Sequence, residues 1–276
     1  MQTIENEFLK INVNEVGCLL KSVYDKRRKK ECLWKKDSAI WGSQDVVIFP
    51  IIGPAGFEIN GITRNMRQHG FTRESMFTVV SKTSTDLIME LNSNDTTFSL
   101  FPYKFKLLVH YILDKEKLIY KIEISNNSEE KMPFMLGLHP GFYINDGAYI
   151  ETHAKEYYPC VDNVYQEIHK WNEPQLLLIT KDLFKKYLTI CLKNNETNVW
   201  VLHTNDGYKY IYDLNSPLIA IWSHAEKGNY VCIEPWWGMP QYKNMPKELK
   251  DRAYVNYCES NNSRIFNFSI AFVKED

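Results

Sequence analysis

The segment Leu118-Ile119-Tyr120-Lys121-Ile122-Glu123-Ile124-Ser125 decides the fold class. One set of alternate positions holds Leu, Tyr, Ile and Ile, whereas the other set holds Ile, Lys, Glu and Ser. Successive side chains of a β-strand point to opposite faces of the sheet, so this alternation predicts a strand with one buried face. The segments around it repeat the pattern, and the chain is therefore predicted to be mainly β.

Strand-sized segments of the same character occur on both sides of this one. They are predicted at residues 87–91, 105–113, 189–192, 198–203, 208–212, 218–223, 230–233 and 264–273. Helices are predicted only at residues 181–187 and 246–253, because a 3.6-residue periodicity is scarce elsewhere. No internal repeat and no stretch rich in Gly, Pro or Ser divides the chain, so residues 1–276 are expected to form one large β-sandwich-type domain.

The composition is that of an ordinary globular protein. Hydrophobic residues make up 44% of the 276 residues, and 33 Lys and Arg stand against 34 Asp and Glu. Nucleic acid is therefore not expected as a partner, because phosphate binders carry an excess of positive charge. The N-terminus lacks the features of a secretory signal and no apolar run approaches the roughly 18 residues of a membrane span, which predicts a cytoplasmic protein without a membrane partner. Six widely spaced cysteines without a Cys-x-x-Cys pair predict reduced thiols.

Three short segments interrupt the strand pattern. They are Gln68-His69-Gly70-Phe71-Thr72-Arg73, Gly137-Leu138-His139-Pro140-Gly141-Phe142 and Cys232-Ile233-Glu234-Pro235-Trp236-Trp237-Gly238. Each places an ionisable side chain beside Gly or Pro and large aromatic residues, whose apolar walls raise the pKa of a carboxyl group. Because side chains alternate along a strand, one of Trp236 and Trp237 is expected to face the pocket and the other the core. A base, an acid and a second polar group in one pocket suffice for proton transfer without a metal.

In this order and spacing, the three segments resemble the aldose 1-epimerase (galactose mutarotase-like) superfamily, and its LacX-like branch in particular. The resemblance extends over nearly the whole chain and includes Phe49-Pro50-Ile51-Ile52-Gly53 ahead of the first segment. It implies an all-β fold, a large antiparallel β-supersandwich, and an isomerase that interconverts the α and β anomers of a sugar. We expect a small-molecule sugar as the partner of a monomer or homodimer, and no cofactor, because no nucleotide-binding or metal motif is present.

The resemblance also implies roles for four residues. Glu234 would be the general base that removes the proton from the C1 hydroxyl, and His139 would be the acid that protonates the ring oxygen. His69 would hydrogen-bond the sugar, and Arg73 would be a substrate contact that can hold a phosphate in the sugar-phosphate branch. No metal is expected. Glu234 and His139 are 95 positions apart in the sequence, and we expect them to face each other across a cleft that holds the carbohydrate.

Three positions depart from the family pattern. Pro54 follows Gly53 at the position where many relatives have an Arg that contacts the sugar. That guanidinium is missing here unless Arg64 or Arg67 takes its place. Tyr187 and Gln241 stand near positions where relatives often have an Asp that binds sugar hydroxyls. The proton-transfer groups are kept while part of the sugar-binding set differs, which bears on the substrate more than on the reaction.

Each candidate residue also has a structural interpretation. Taken alone, Glu234 is equally well a paired buried carboxylate, and His139 and His69 are core histidines. Arg73 is then the solvated partner of Glu74 or of another carboxylate. At the level of function, the departures favour an alternative: a non-catalytic carbohydrate-binding or sugar-sensing protein on the same fold. A lyase or glycosidase domain is a further alternative, and it requires a second carboxylate near Glu234.

Overall fold

The computed structural model describes residues 1–54, 56–173 and 175–275. Strands make up 51% of the chain and helices 7%, which confirms the all-β prediction. The strands are β1 Gln2–Glu5, β2 Leu9–Asn14, β3 Leu19–Asp25, β4 Lys30–Glu31, β5 Val47–Ile48, β6 Phe57–Ile59, β7 Ile62–Arg64, β8 Thr78–Lys82, β9 Asp86–Asn92, β10 Phe105–Asp114, β11 Lys117–Asn126, β12 Met132–Phe134, β13 Leu136–Leu138, β14 Gly141–Tyr143, β15 Tyr149–Glu151, β16 Ala154–Tyr158, β17 Cys160–Val161, β18 Val164–Tyr165, β19 His169–Lys170, β20 Leu176–Leu178, β21 Thr189–Asn195, β22 Val199–His203, β23 Tyr208–Leu214, β24 Leu218–Trp222, β25 Tyr230–Trp237, β26 Asn256–Cys258 and β27 Ser263–Lys274. The helices are α1 Asp95–Leu100 and α2 Lys181–Tyr187, with 3₁₀ turns at Thr72–Glu74 and Leu249–Asp251.

Two large antiparallel sheets build most of the fold. The first has nine strands in the order β20-β15-β22-β23-β27-β11-β10-β9-β8. The second has eight strands, in the order β19-β16-β21-β24-β25-β13-β5 with β14 also paired to β25. Strands β1 to β4 form a separate four-stranded sheet. The antiparallel supersandwich expected from the resemblance is thus confirmed.

Aromatic side chains join the two large sheets. Phe142 of β14 packs edge-on against Tyr210 and Phe272, with ring centroids 5.6 and 5.7 Å apart. Trp237 of β25 packs against Phe266 at 5.2 Å. Each such buried side chain stabilises the fold by about 1.5–3 kcal/mol relative to an exposed one. The alternating segment 118–125 lies in β11, where the side chains of Leu118, Tyr120, Ile122 and Ile124 are all buried, as predicted.

One of the two predicted helices is confirmed. The helix at 181–187 is α2, which begins after Thr180, whose side chain accepts a hydrogen bond from the backbone of Leu183 at 3.2 Å. The helix predicted at 246–253 is wrong, because only the 3₁₀ turn forms there. The backbone carbonyl of Lys247 instead accepts a hydrogen bond from the backbone N–H of Glu58 in β6 at 2.7 Å, and Glu58 also forms a β-bridge with Glu248.

Some elements carry no clear signal in the sequence. The four-stranded sheet of β1 to β4 and the capped helix α1 were not predicted. No helix in the described ranges is both long enough and apolar enough to cross a bilayer.

Candidate active site

Strand β25 brings the second and third sequence segments together. Both β13 and β14 pair with it, and two residue pairs fix the register: Gly137 with Trp236, and Gly141 with Cys232. Continuing this antiparallel register by two residues from either pair places His139 opposite Glu234. Residues directly opposite each other in an antiparallel pair have Cβ atoms about 4.5–5.5 Å apart. The sheet pairing therefore makes direct neighbours of two groups that are far apart in the sequence.

Both groups line a cavity of about 520 Å³, within the roughly 300–1,000 Å³ of small-molecule sites. Its lining residues are Trp41, Ser43, Val46, Gly53, Pro54, Gln68, His69, Arg73, His139, Cys160, Asn163, Tyr165, Thr189, Trp222, Glu234, Trp236 and Pro240. The Nε2 atom of His139 lies 3.4 Å from Oε1 of Glu234. The expectation that a sugar separates the two groups across a cleft is wrong, because the strand register places them side by side on one wall.

Glu234 is a buried carboxyl group with one hydrogen bond. Its side chain is 1% exposed, and the indole N–H of Trp236 donates to Oε2 at 3.2 Å. The other oxygen, Oε1, has no hydrogen-bond partner among the described residues. Burial raises the pKa of Glu234 well above its ordinary value of 4.5, against the Trp236 hydrogen bond, and the negative charge of Asp45 raises it further. A carboxylate with a raised pKa is a stronger base than a solvated one.

Two tryptophans hold the imidazole ring of His139. Trp41 stacks on the ring with centroids 4.9 Å apart, and Trp222 meets it edge-on at 5.6 Å. The backbone N–H of His139 donates to the carbonyl of Val46 at 3.0 Å. Burial lowers the pKa of His139 well below 6.5, and electrostatic interactions with the neighbouring His69 ring and the Arg73 guanidinium lower it further. The ring is therefore neutral when the cavity holds no sugar, and the stacking fixes its orientation.

His69 presents a defined ring nitrogen to the cavity. It has a left-handed backbone, with φ at 68°, and Gly70 follows at 79°. Only Gly fits at position 70, because a Cβ there would lie 1.9 Å from the carbonyl oxygen of Phe49. The backbone N–H of Gly53 donates to Nδ1 of His69 at 3.2 Å, so the ring proton resides on Nε2. Burial lowers the pKa of His69 to about 3, which keeps the ring neutral, and its Nε2 lies 3.3 Å from the side-chain amide of Gln68.

Arg73 lies in the 3₁₀ turn Thr72–Glu74 and lines the cavity. The alternative in which it pairs with Glu74 is wrong, because Glu74 binds Arg67 instead. The Nε atom of Arg73 is buried and has no hydrogen-bond partner in the described part of the chain. Burial lowers the pKa of Arg73 below its ordinary 12.5, and the positive charge of Arg67 lowers it further. A guanidinium in this state is suited to bind an anionic or oxygen-rich substituent of a ligand.

The positions that depart from the family pattern lie mostly outside the cavity. Pro54 lines it, but the side chains of Tyr187 and Gln241 do not. Arg64 donates to a backbone carbonyl at 2.9 Å, and Arg67 is engaged in its ion pair. Neither arginine lines the cavity, so Arg73 is the only guanidinium among the described lining residues.

Several lining residues were not identified from the sequence. Trp41 lies in an irregular segment between β4 and β5, and a lone Trp among polar residues is a weak signal for a binding wall. The polar set Ser43, Gln68, Asn163, Tyr165 and Thr189 comes from separate loops and strand ends. Trp236 faces the cavity and Trp237 the core, as predicted. Glu234 is the only carboxylate among the described lining residues, so the second carboxylate that a glycosidase requires is not in the cavity wall.

One cluster of potential metal ligands occurs in the described ranges. A ring nitrogen of His139, Sγ of Cys232 and a carboxylate oxygen of Glu234 lie within 4.8 Å of one another. Cys232 and Glu234 share a face of β25, because they are two residues apart. The cysteine spacing gave no indication of this cluster, since its members meet only through strand pairing.

Comparisons with known proteins agree with the fold and with the sequence segments. The aldose 1-epimerase family model matches residues 1–246. The plasmid and chromosomal LacX proteins of Lactococcus lactis subsp. lactis are each 25% identical to this chain, over 91% of it and 92% of their own length. A galactose mutarotase related enzyme from Lactobacillus acidophilus superposes with a TM-score of 0.94 at 27% identity, over 100% of this chain and 98% of the other.

Two further solved structures show the fold. A galactose mutarotase-like protein from Lactobacillus casei has a TM-score of 0.93 at 23% identity, covering 99% of this chain and all of the other. A galactose 1-epimerase from Lactobacillus acidophilus has a TM-score of 0.73 at 14% identity, covering 99% and 94%. Since the family match spans most of its length, the chain belongs to the aldose 1-epimerase family and is an isomerase-type enzyme with a mutarotase-type function.

Proposed function

We propose that this protein is an aldose 1-epimerase that interconverts the α and β anomers of a hexose or a hexose derivative. Glu234 is the general base, His139 is the general acid, and His69 and Arg73 contact the substrate. The observation that carries the proposal is the 3.4 Å contact between His139 Nε2 and Glu234 Oε1 in the wall of a cavity large enough for a small molecule.

The side-by-side arrangement suits a cyclic sugar. The C1 hydroxyl oxygen and the ring oxygen are both bonded to C1, so the groups that exchange protons with them have to be neighbours. A base or acid acts within about 2.6–3.2 Å of its partner. The sugar therefore lies over the Glu234–His139 pair, with its C1 hydroxyl at the carboxylate and its ring oxygen at the imidazole. Trp41 and Trp236 supply apolar walls beside the pair.

The reaction needs two proton transfers in each direction. The Glu234 carboxylate takes the C1 hydroxyl proton while protonated His139 gives its proton to the ring oxygen. The bond from C1 to the ring oxygen breaks, and C1 becomes an aldehyde carbon. Rotation about the C1–C2 bond presents the other face of the aldehyde, and the reversed transfers close the ring to the other anomer. Each positioned group contributes about 10²–10⁴-fold to the rate.

The pair keeps the same number of protons throughout. Because the pKa of Glu234 is raised and that of His139 is lowered, a single proton on the pair resides on the carboxyl group when the cavity holds no sugar. Ring opening starts from the ionised tautomer and ends in this neutral one. A C1 hydroxyl that donates to Oε1, which otherwise has no partner among the described residues, favours the ionised carboxylate. No exchange with solvent is needed between the two half reactions.

His69 and Arg73 complete the substrate contacts. The Nε2–H of His69 donates to a sugar oxygen, and its ring meets that of His139 edge-on at 5.8 Å, close to the reacting centre. The Arg73 guanidinium binds a more distant oxygen-rich group, which is where a phosphate or carboxylate substituent would be accommodated.

The test is anomer exchange measured by saturation-transfer NMR on free hexoses, pentoses and hexose 6-phosphates. We expect Glu234→Gln and His139→Gln each to reduce the rate by about 10²–10⁴-fold. The matched controls are Glu7→Gln and His169→Gln, which make the same chemical changes at exposed positions.

Two outcomes would refute the proposal. Saturable sugar binding without exchange on any sugar would assign the cavity to binding alone. Exchange that survives both cavity substitutions would show that the rate comes from other groups.

A further inference from the structure

Cys232 adds a soft donor to the acid–base pair. It lies opposite Gly141 in the register of β14 with β25, and it shares a strand face with Glu234. The three donor atoms of His139, Cys232 and Glu234 lie within 4.8 Å of one another. Imidazole, thiolate and carboxylate are the side-chain donors that Zn²⁺ accepts in proteins, and thiolate also favours the softer Cd²⁺.

The spacing of the donors is close to that of a tetrahedral site. Zinc bonds of about 2.0–2.3 Å place neighbouring donors roughly 3.3–3.8 Å apart. The His139–Glu234 contact already measures 3.4 Å. The other donor distances do not exceed 4.8 Å, so they have to shorten by about 1 Å when the ion binds. His139 and Glu234 line the cavity, so water or a sugar oxygen in the cavity would complete the tetrahedron.

Charge and hydrogen bonding also favour a divalent cation here. One thiolate and one carboxylate carry two negative charges, so the occupied site is neutral in a buried environment, where an uncompensated charge is costly. Glu234 Oε1 and His139 Nδ1 are buried and without hydrogen-bond partners in the described ranges. A metal ion bound to Oε1 of Glu234 would supply the partner that this oxygen otherwise lacks.

We infer that Zn²⁺ and Cd²⁺ bind to His139, Cys232 and Glu234, and that the bound ion inhibits the enzyme. As the metal–sulfur bond forms, the thiol proton is released to solvent. The ion occupies the lone pairs that exchange protons with the sugar, so metal and sugar compete. The inhibition rests on the proposed function, whereas the metal site does not.

The site is tested by Cd²⁺ titration of the purified chain without added sugar. A cadmium–thiolate bond gives a charge-transfer absorption band in the ultraviolet, which we expect to saturate at one equivalent. Cys232→Ser should lose the band and bind Zn²⁺ at least tenfold more weakly in competition with a chelating dye, since even indirect supports of a metal site are worth about 10–100-fold. Cys160→Ser is the matched control, because that thiol lines the same cavity outside the cluster.

The inhibition is tested by anomer exchange at increasing Zn²⁺. The Zn²⁺ inhibition constant should rise at least tenfold in Cys232→Ser and stay at the wild-type value in Cys160→Ser. Each variant is compared with its own metal-free rate. Equal Zn²⁺ affinity in wild type and Cys232→Ser, or no thiolate band, overturns the site. If Cys232→Ser does not fold, Glu234→Gln has to lose Zn²⁺ affinity tenfold or the site is refuted. The Cd²⁺ titration decides the metal site even if no sugar is turned over.

Discussion

Glu234→Gln should make the protein more stable at neutral pH while it removes activity. The carboxyl group is fully buried, and its pKa in the folded state is raised well above the ordinary 4.5 by that burial. Between pH 4.5 and the raised value, the folded state binds more protons than the unfolded state. Stability therefore falls as the pH rises through this range. Gln has nearly the same shape, can still accept from Trp236, and does not titrate.

The size of the effect has a ceiling set by the pH interval. A single group changes the free energy of unfolding by at most about 1.4 kcal/mol per pH unit. From the ordinary pKa of 4.5 to pH 7 the carboxyl group costs at most about 3.5 kcal/mol. We expect Gln to recover most of this at pH 7 and almost none at pH 4. A chain of this length gains about 2 °C in Tm per kcal/mol, so the shift is on the order of 5 °C.

The assay is urea unfolding of both proteins at a series of pH values from 4 to 8. The difference in unfolding free energy should be near zero at pH 4 and grow steadily with pH. Titrating groups that do not interact with Glu234 cancel in the difference, and the coupling to the buried Asp45 is a smaller cause of the raised pKa than burial. Glu7→Gln, at an exposed position, should show no such growth. A difference that is flat with pH, or a Gln variant less stable than wild type at pH 7, would refute the reasoning.

Three further predictions concern activity and the backbone. Because the pKa of Glu234 is raised and that of His139 is lowered, the pair keeps a single proton between these two values. We expect kcat, measured by NMR over a pH series, to be level across that interval and to fall on either side of it; a narrow bell confined between the ordinary values of 4.5 and 6.5 would contradict this. If phosphorylated sugars are turned over, Arg73→Ala should raise the KM of a phosphorylated hexose at least tenfold more than it raises the KM of the free hexose. Steady-state kinetics by NMR measure both values, and equal increases would show that the guanidinium does not bind the phosphate. Gly70→Ala should destabilise the fold by several kcal/mol, because its Cβ would lie 1.9 Å from the Phe49 carbonyl oxygen; wild-type stability in urea would count against the close approach.

Strands could be predicted from the sequence where one face of the strand is buried and the other is exposed to solvent. The alternation in β11 identified it, since burial follows every second residue. The helix predicted at 246–253 failed for a tertiary reason, because the backbone carbonyl of Lys247 accepts a hydrogen bond from the backbone N–H of Glu58, which is far away in the sequence. No local pattern contains that partner. The β1 to β4 sheet was missed for a similar reason, since its pairing rather than its composition defines it.

For the candidate site, the sequence predicted the residues but not their geometry. Glu234, His139, His69 and Arg73 were named from their segments, and all four line one cavity. Their mutual geometry was not readable, because it depends on the register of β13 and β14 on β25. Because of that register, Glu234 and His139 lie side by side instead of on opposite sides of a cleft. The same holds for Trp41 and Cys232, which lie near the pair only after the sheet has formed.

The strand register of β25 also ties the chemistry to folding. A shift of one residue would turn every side chain of a strand to the other face of the sheet. Under such a slip the carboxyl group and the imidazole would point away from each other, although the sheet could keep its hydrogen bonds. Activity therefore requires that β13 and β14 pair with β25 in the correct register. A refolded chain with these strands shifted by one residue could have a native-like circular dichroism spectrum and still be inactive.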